Sequence, residues 1–552
     1  MTTTACMFSD SRTTWLIVSF IALITLLPLA STAAQGLQFT EALGALTSSS
    51  FKDKEKAVDA LAATRDPGAR KVLGAMLEGN LFYRREDKKV FIAQVKDDAL
   101  ALTDAATMQP AGEGTSEDYA RITTNNQLRK ALKSAIAGFD LSDEDPAVRL
   151  AAVTEMMRTL DEDSIAILRS RSISETDGKV KKAIATSLAL ADLDSADAEV
   201  RLAALGKLKG NLSPDVYNRV KPISTANDDG SFTEKDERVR LAATQTVHSI
   251  DSWRSFYGTV ETLFFGLSLG SVLVLAAIGL AITFGVMGVI NMAHGELMML
   301  GAYTTYVLQL LMPSHIGASI IVAIPMAFLV SGTVGVLIER GVVRFLYGRP
   351  LETLLATFGI SLILQQIVRD VFTANNRPVE TPSWMSGSWQ INEALSITYN
   401  RLYVVIFTMA VFVILLAVLK KTTLGLKVRA VAQNRAMAKS MGVRTEWVDA
   451  LTFGLGSGIA GVAGVALSQL TNVGPNLGQQ YIIDSFMVVV FGGVANLWGT
   501  LIGGMSLGVV NKLLEPFAGA VLAKILVLVA LILFIQRRPR GLFPQKGRAA
   551  EA

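Results

Sequence analysis

Asn291, His294 and Glu296 stand together in the segment Gly288-Val-Ile-Asn-Met-Ala-His-Gly-Glu-Leu-Met-Met-Leu-Gly-Ala-Tyr303, inside a long apolar stretch. An amide, an imidazole and a carboxylate supply donors and acceptors at once, enough to hold a small polar solute or to tie two helices together. An ionisable group at bilayer depth costs about 3 kcal/mol on insertion scales, so such residues face protein or a wet pathway. A polar helix break serving a pathway and structural hydrogen bonds between helices stand level as readings. Asp484, just after Tyr481, and Asn496 farther along add a carboxylate and an amide able to accept hydrogen bonds from the same kind of solute. At the outer interface Asp484 would only be solvated. The His-Gly-Glu order is not the His-Glu-x-x-His pattern of zinc proteases, so no metal site and no catalytic residue is expected. Nor does any Gly-x-x-x-x-Gly-Lys-Ser/Thr loop occur, so the chain is not expected to hydrolyse ATP by itself.

These groups need elements to hold them. Beyond Ser252, apolar stretches run over about 260–290, 297–311, 316–338, 351–368, 402–419 and 451–470, then through a glycine-interrupted region to 535. Most approach membrane-spanning length. Basic residues near spans resist translocation, so Arg340, Arg344 and Arg349, the loop Lys420 to Val448, and Arg537, Arg538, Arg540, Lys546 and Arg548 mark the cytoplasmic side. The polar loop from Thr373 to Asn400 lies opposite. Residues 481–535 are too long for one helix, which leaves three short crossings or one crossing plus a re-entrant segment. In the Lys420 loop, Leu424, Val428, Val431 and Ala432 recur at helical spacing, and Gly442 is placed to end the helix in a left-handed cap. Such a helix either docks into a partner's groove or lies on anionic lipid.

Before Ser252 the chain is rich in Asp, Glu, Lys and Arg. Arg12, the apolar run Trp15 to Leu29 and the small residues Ala30 to Ala34 follow the order of a secretory signal peptide cleaved near Ala34, with an uncleaved anchor as the competing reading. Either way the next domain is exported. The single cysteine, Cys6, lies in that leader, so the exported domain has no disulfide. The net charge of +4 is concentrated beside the membrane spans, and nucleic-acid binding has no support. Three segments repeat Val-Arg-Leu-Ala-Ala, at Val148, Val200 and Val239, each after acidic residues suited to a helix start. Their apolar positions read Val148, Ala152, Met156; Val200, Ala204, Leu208; and Val239, Ala243, Val247. The spacing is near that of HEAT-like helical pairs, with ordinary amphipathic helices as the alternative. His248, the only histidine of this part, reads as a surface or packing residue.

Gly266-Leu-Ser-Leu-Gly-Ser271 and Phe284-Gly-Val-Met-Gly-Val-Ile-Asn-Met-Ala-His-Gly-Glu296 resemble the first part of the branched-chain amino acid (Liv-type) ABC permease family. So do Gly425-Leu-Lys-Val-Arg-Ala430 with Met441-Gly442, Phe491-Gly-Gly493 with Gly503-Gly504, and the Arg-Pro-Arg-Gly-Leu-Phe ending at Phe543. Within that family, the long exported extension and the run Tyr481 to Gly499 look most like the urea transporter permease subunit. Ala495 departs from the glycine expected before Asn-Leu-Trp. The resemblance implies an inner-membrane, multi-pass subunit with a periplasmic N-terminal domain and a cytoplasmic C-terminus. It also implies a second homologous permease, two cytoplasmic ATPases that bind the ATP, and a periplasmic substrate-binding protein as partners. Residues 425–443 would then be the coupling helix, with Leu426, Val428, Arg429, Arg435, Lys439 and Gly442 as its working residues.

The expected fold is thus all-α, a polytopic helical membrane permease behind an exported helical, HEAT-like domain. The expected divisions are 1–34 signal peptide, 35–255 periplasmic domain and 256–552 transmembrane domain. The expected function is ATP-driven import of urea, with Asn291, His294, Glu296, Asp484 and Asn496 along the substrate pathway and no cofactor in this subunit. Import of a branched-chain or other small amino acid or amide is the rival within transport. A passive urea or amide channel, and a membrane-anchored receptor, are the rivals outside it.

Overall fold

The computed structural model describes residues 38–543 other than 65, 97, 98 and 116. The leader over 1–34 with Cys6, and the terminal Lys546 and Arg548, lie outside the described residues. The chain divides into two compact units between Ser252 and Trp253.

After helical residues 38–45, the first unit continues with helices α1 (Phe51–Thr64) and α2 (Pro67–Glu78). Asp66 caps α2 by accepting from Gly68 N at 2.7 Å, and Gly79 closes it in the left-handed conformation. A five-stranded antiparallel sheet follows, in the order β4-β3-β2-β1-β5. Its strands are β1 (Leu81–Arg84), β2 (Val90–Lys96), β3 (Ala99–Asp104), β4 (Pro110–Gly114) and β5 (Tyr119–Arg121). The first unit is therefore not helical throughout, contrary to the reading from its repeats. The cause is local: Phe82, Tyr83, Phe91, Ile92 and Leu102 favour a pleated surface, and turns at 85–87 and 105–107 join β1 to β2 and β3 to β4. At one turn Asp104 Oδ1 accepts from Ala106 N and Thr107 N at 2.8 and 3.0 Å.

Helices α3 (Asn126–Asp140), α4 (Pro146–Arg158), α5 (Glu162–Ser174), α6 (Gly178–Asp192), α7 (Ala198–Leu208) and α8 (Pro214–Ser224) complete the unit with the start of α9 (Glu237–Met287). Asp145, Asp177, Asp197 and Asp236 each cap a helix start through a backbone N–H two residues on. The apolar faces follow the repeat only in part. Ala152, Met156, Ala204, Leu208, Val239 and Ala243 are buried, whereas Val200 is exposed and Val148 and Val247 are half-buried. His248 is exposed.

The repeated arginine has one fixed job. Arg149 Nη1 donates to the carbonyls of Asp143 and Glu144, while Nε and Nη2 grip the Glu175 carboxylate at 3.0 and 2.8 Å. Arg201 repeats this on Ser195 O, Ala196 O and Glu234. The Arg149 guanidinium holds the Glu175 carboxyl down to about 2, helped by the backbone N–H groups of Asp177 and Thr176.

The second unit is a helical bundle. It contains the rest of α9, then α10 (His294–Leu311), α11 (Ile316–Gly341), α12 (Pro350–Phe372), α13 (Tyr399–Lys421), α14 (Thr423–Gln433), α15 (Arg435–Ser440), α16 (Thr445–Ser468), α17 (Leu477–Gly492) and α18 (Leu497–Arg537). Six of these, α9, α11, α12, α13, α16 and α18, are long and apolar enough to cross a membrane. A hairpin of β6 (Ser388–Asn392) and β7 (Leu395–Thr398) fills the polar loop before α13. Helix α18 is broken at Gly519, where φ is +76°, so the region after 476 consists of three helical segments.

Candidate functional site

Helix α9 ends at Met287, and the chain turns at Gly288 with φ +69°, a conformation glycine adopts without steric cost, before α10 begins at His294. The break is tied down on several sides. Asn291 is buried and its Oδ1 accepts from Ala293 N at 3.0 Å, which identifies the outward amide atom as Nδ2. Met292 N donates to Thr357 Oγ1 at 3.1 Å. His294, also buried, donates from Nε2 to Ala276 O of α9 at 2.9 Å, leaving Nδ1 as an acceptor. Gly295 meets Gly478 of α17 so closely that a Cβ on either would overlap the other's backbone.

Helix α12 supplies the facing wall. Thr353, Thr357, Ser361 and Gln365, spaced four apart, share one face and are all buried, while Leu355, Leu362, Ile363 and Ile367 on other faces are exposed. This is a span with an apolar outside and a polar seam inside. Glu296 joins the seam: its Oε1 accepts from Gln365 Nε2 at 2.7 Å and from Ser361 Oγ at 3.1 Å. Asn291 Nδ2, His294 Nδ1 and Glu296 Oε2 have no hydrogen-bond partner among the described residues.

The structure thus gathers Asn291, His294 and Glu296 around one helix break and adds Thr357, Ser361 and Gln365, which sequence reasoning passed over. Their signal was present as polar residues at helical spacing within the apolar run 351–368. Asp484 and Asn496 lie elsewhere. Asp484, on α17, is buried and pairs with Lys524 of α18 at 2.9 Å. Asn496 caps α18 by accepting from Gly499 N at 3.1 Å and donates to Phe543 O at 3.2 Å. With Lys420, Val428, Arg429 and Trp498 it lines a cleft of about 400 Å³ beside the basic loop.

That loop is two helices, not one. Thr422 caps α14 and Asn434 caps α15, each accepting from a backbone N–H three residues on. Val428, Val431 and Ala438 are buried against Val448 of α16, and Gly442, at φ +85°, ends α15. Arg435 hydrogen-bonds Tyr347 Oη and both oxygens of Asp449, with its guanidinium 4.0 Å from the Tyr347 ring centre. Val428 and Arg435 therefore fasten the loop to the bundle. Leu426, Arg429 and Lys439 face outward, beside the exposed Met437 and Met441.

Residues 262–535 match the family described as branched-chain amino acid transport system, permease component. The branched-chain amino acid permease LivH of Salmonella typhimurium is 32% identical over 293 residues, covering 51% of this chain and 94% of that protein. The chain belongs to the branched-chain amino acid transport system permease family. The permease BraD of Pseudomonas aeruginosa is 28% identical over 296 residues, 52% of this chain and 96% of that protein. The ribose import permease RbsC of Bacillus subtilis is 31% identical over 134 residues, 22% of this chain and 42% of that protein. No solved structure matches. The chain is a multi-pass membrane permease subunit, and the family match starts beyond the first unit. Ala495, where the family resemblance leads one to expect glycine, has φ +65°.

Proposed function

We propose that the chain is the transmembrane permease subunit of an ATP-driven importer of urea. One observation supports this reading: the seam at the helix break leaves one buried donor, Asn291 Nδ2, and two buried acceptors, His294 Nδ1 and Glu296 Oε2, without partners among the described residues. Each such atom costs about 1–3 kcal/mol when left unpaired, so each is a polar group that a passing polar solute would relieve. Urea, with one carbonyl acceptor and two NH₂ groups, can pair with either kind of group.

The energy enters from cytoplasmic ATPase subunits. The outward residues Leu426, Arg429 and Lys439 form the contact with one of them, and the Arg435–Asp449 attachment passes its movement to α16. The basic loops keep this side in the cytoplasm and put the first unit in the periplasm, where a substrate-binding protein delivers the solute. A second, homologous permease completes the pathway. Import of branched-chain amino acids is the second reading, favoured by the named transport systems of LivH and BraD.

Asn291→Asp and Glu296→Gln test the site, because both keep the side-chain shape and alter the donor and acceptor pattern. Urea uptake by cells carrying the complete transporter should fall at least about tenfold, the equivalent of 1.4 kcal/mol, at unchanged membrane insertion. Uptake equal to wild type in both variants would remove the seam from the pathway.

A further inference from the structure

Arg240 occupies the same place in α9 that Arg149 and Arg201 occupy in α4 and α7, after an Asp cap and a valine. Its Nη1 donates to Glu234 O and Lys235 O at 3.1 and 2.9 Å, the same backbone anchoring its two counterparts use. In those counterparts the Nε–Nη2 edge holds a glutamate; at Arg240 that edge meets no carboxylate among the described residues. Phe232 lies under the guanidinium, 4.7 Å from its centre. Phe232 and Leu241 are both exposed beside it.

The two filled copies show what the empty one accepts. Glu175 and Glu234 each stand two residues before the Asp cap of a following helix, in Glu175-Thr-Asp177 and Glu234-Lys-Asp236. Each also accepts a backbone N–H from its own turn, from Asp177 at 3.0 Å and from Asp236 at 2.9 Å. The carboxylate thus arrives pre-oriented on a helix-entry turn, and a bidentate guanidinium fork reads it. Repeat arrays bury their faces by stacking the next unit, and an array that ends without one leaves its last socket open.

We propose that Arg240 is a docking socket for a partner protein, filled by a glutamate on a turn leading into a helix, with Phe232 and Leu241 covered at the same time. The aromatic floor and apolar rim fit a folded protein segment better than a free carboxylate, which would leave both exposed.

The full-length chain in detergent is treated with phenylglyoxal, and modification of individual arginines is followed by mass spectrometry. Arg240 should react faster than Arg149 and Arg201, whose forks are occupied. The probe is a synthetic peptide copying residues 172–182 of this chain. With the peptide at twice a Kd on the order of 1 mM, Arg240 modification should slow by about threefold. The same peptide with Glu175→Gln, and acetate at equal concentration, should leave the rate unchanged. Protection by acetate equal to that by the peptide would make the site a general carboxylate site and overturn the docking proposal. No protection by the peptide, or equal protection by its Gln form, would overturn it as well.

Discussion

Replacing Arg435 by alanine should loosen the basic loop from the bundle. In the folded chain Arg435 grips both oxygens of Asp449, whose side chain is 3% exposed, while that of Arg435 is 35% exposed. Breaking a fully buried pair costs about 3–5 kcal/mol, chiefly because the remaining charge stays buried. The solvent-exposed third of Arg435 screens part of this and brings the expected cost to about 2 kcal/mol. Such a loss raises the population of the locally opened loop by about 30-fold. Limited trypsin digestion reads that population directly, since Lys427, Arg429 and Lys439 remain as cleavage sites when Arg435 is gone. Cleavage within residues 420–444 should accelerate by about the same factor. Adding Asp449→Asn should recover about half of the free-energy loss, because no unpaired charge is left. A rate within about threefold of wild type for the single variant, or strictly additive effects in the pair, would refute the anchoring role.

Ala495→Gly should stabilise the membrane unit by up to about 1 kcal/mol, because Ala495 sits at φ +65° and glycine relieves that strain at a smaller cost in unfolded-chain entropy. A higher thermal midpoint in detergent is the readout, and a lower one would contradict it. The Glu175 carboxyl, held at about 2 against an ordinary value of 4.5, stabilises the first unit fully above pH 4.5 and loses that contribution as the pH falls from there towards 2. Hydrogen exchange at the starts of α4 and α6 should rise over that window in the wild type, and Glu175→Gln should show raised exchange already at pH 7. Gln365→Leu removes the 2.7 Å hydrogen bond to Glu296 Oε1 and should lower both thermal midpoint and uptake, whereas Leu355→Ala on the exposed face should change uptake little.

The parts of the fold legible in the sequence are those governed by short-range chemistry. Asp145, Asp197 and Asp236 read as helix starts and are caps; Gly442 read as a left-handed helix end and is one. The family motifs from Gly266 to Phe543 located the permease unit. Residues 81–121 were missed because the helical repeats beyond them set the expectation, although Leu81-Phe-Tyr and Val90-Phe-Ile carry strand-favouring residues. The seam was half legible. Asn291, His294 and Glu296 are adjacent in the chain, but their partners Thr357, Ser361 and Gln365 lie more than 60 residues away, and only the folded bundle joins them. Asp484 and Asn496 were chosen by residue type alone. Nothing local announces that Lys524 takes the first or that the second caps α18.

The solute that this permease carries separates urea import from branched-chain amino acid import. The most direct test of urea import is ATP-dependent uptake of radiolabelled urea into proteoliposomes holding this chain with the proposed partner permease, ATPases and binding protein, in competition with unlabelled leucine. The expected result is urea accumulation that requires ATP, persists in excess leucine and collapses with Asn291→Asp. Accumulation of leucine that urea does not inhibit, or urea flux that proceeds without ATP, would contradict it.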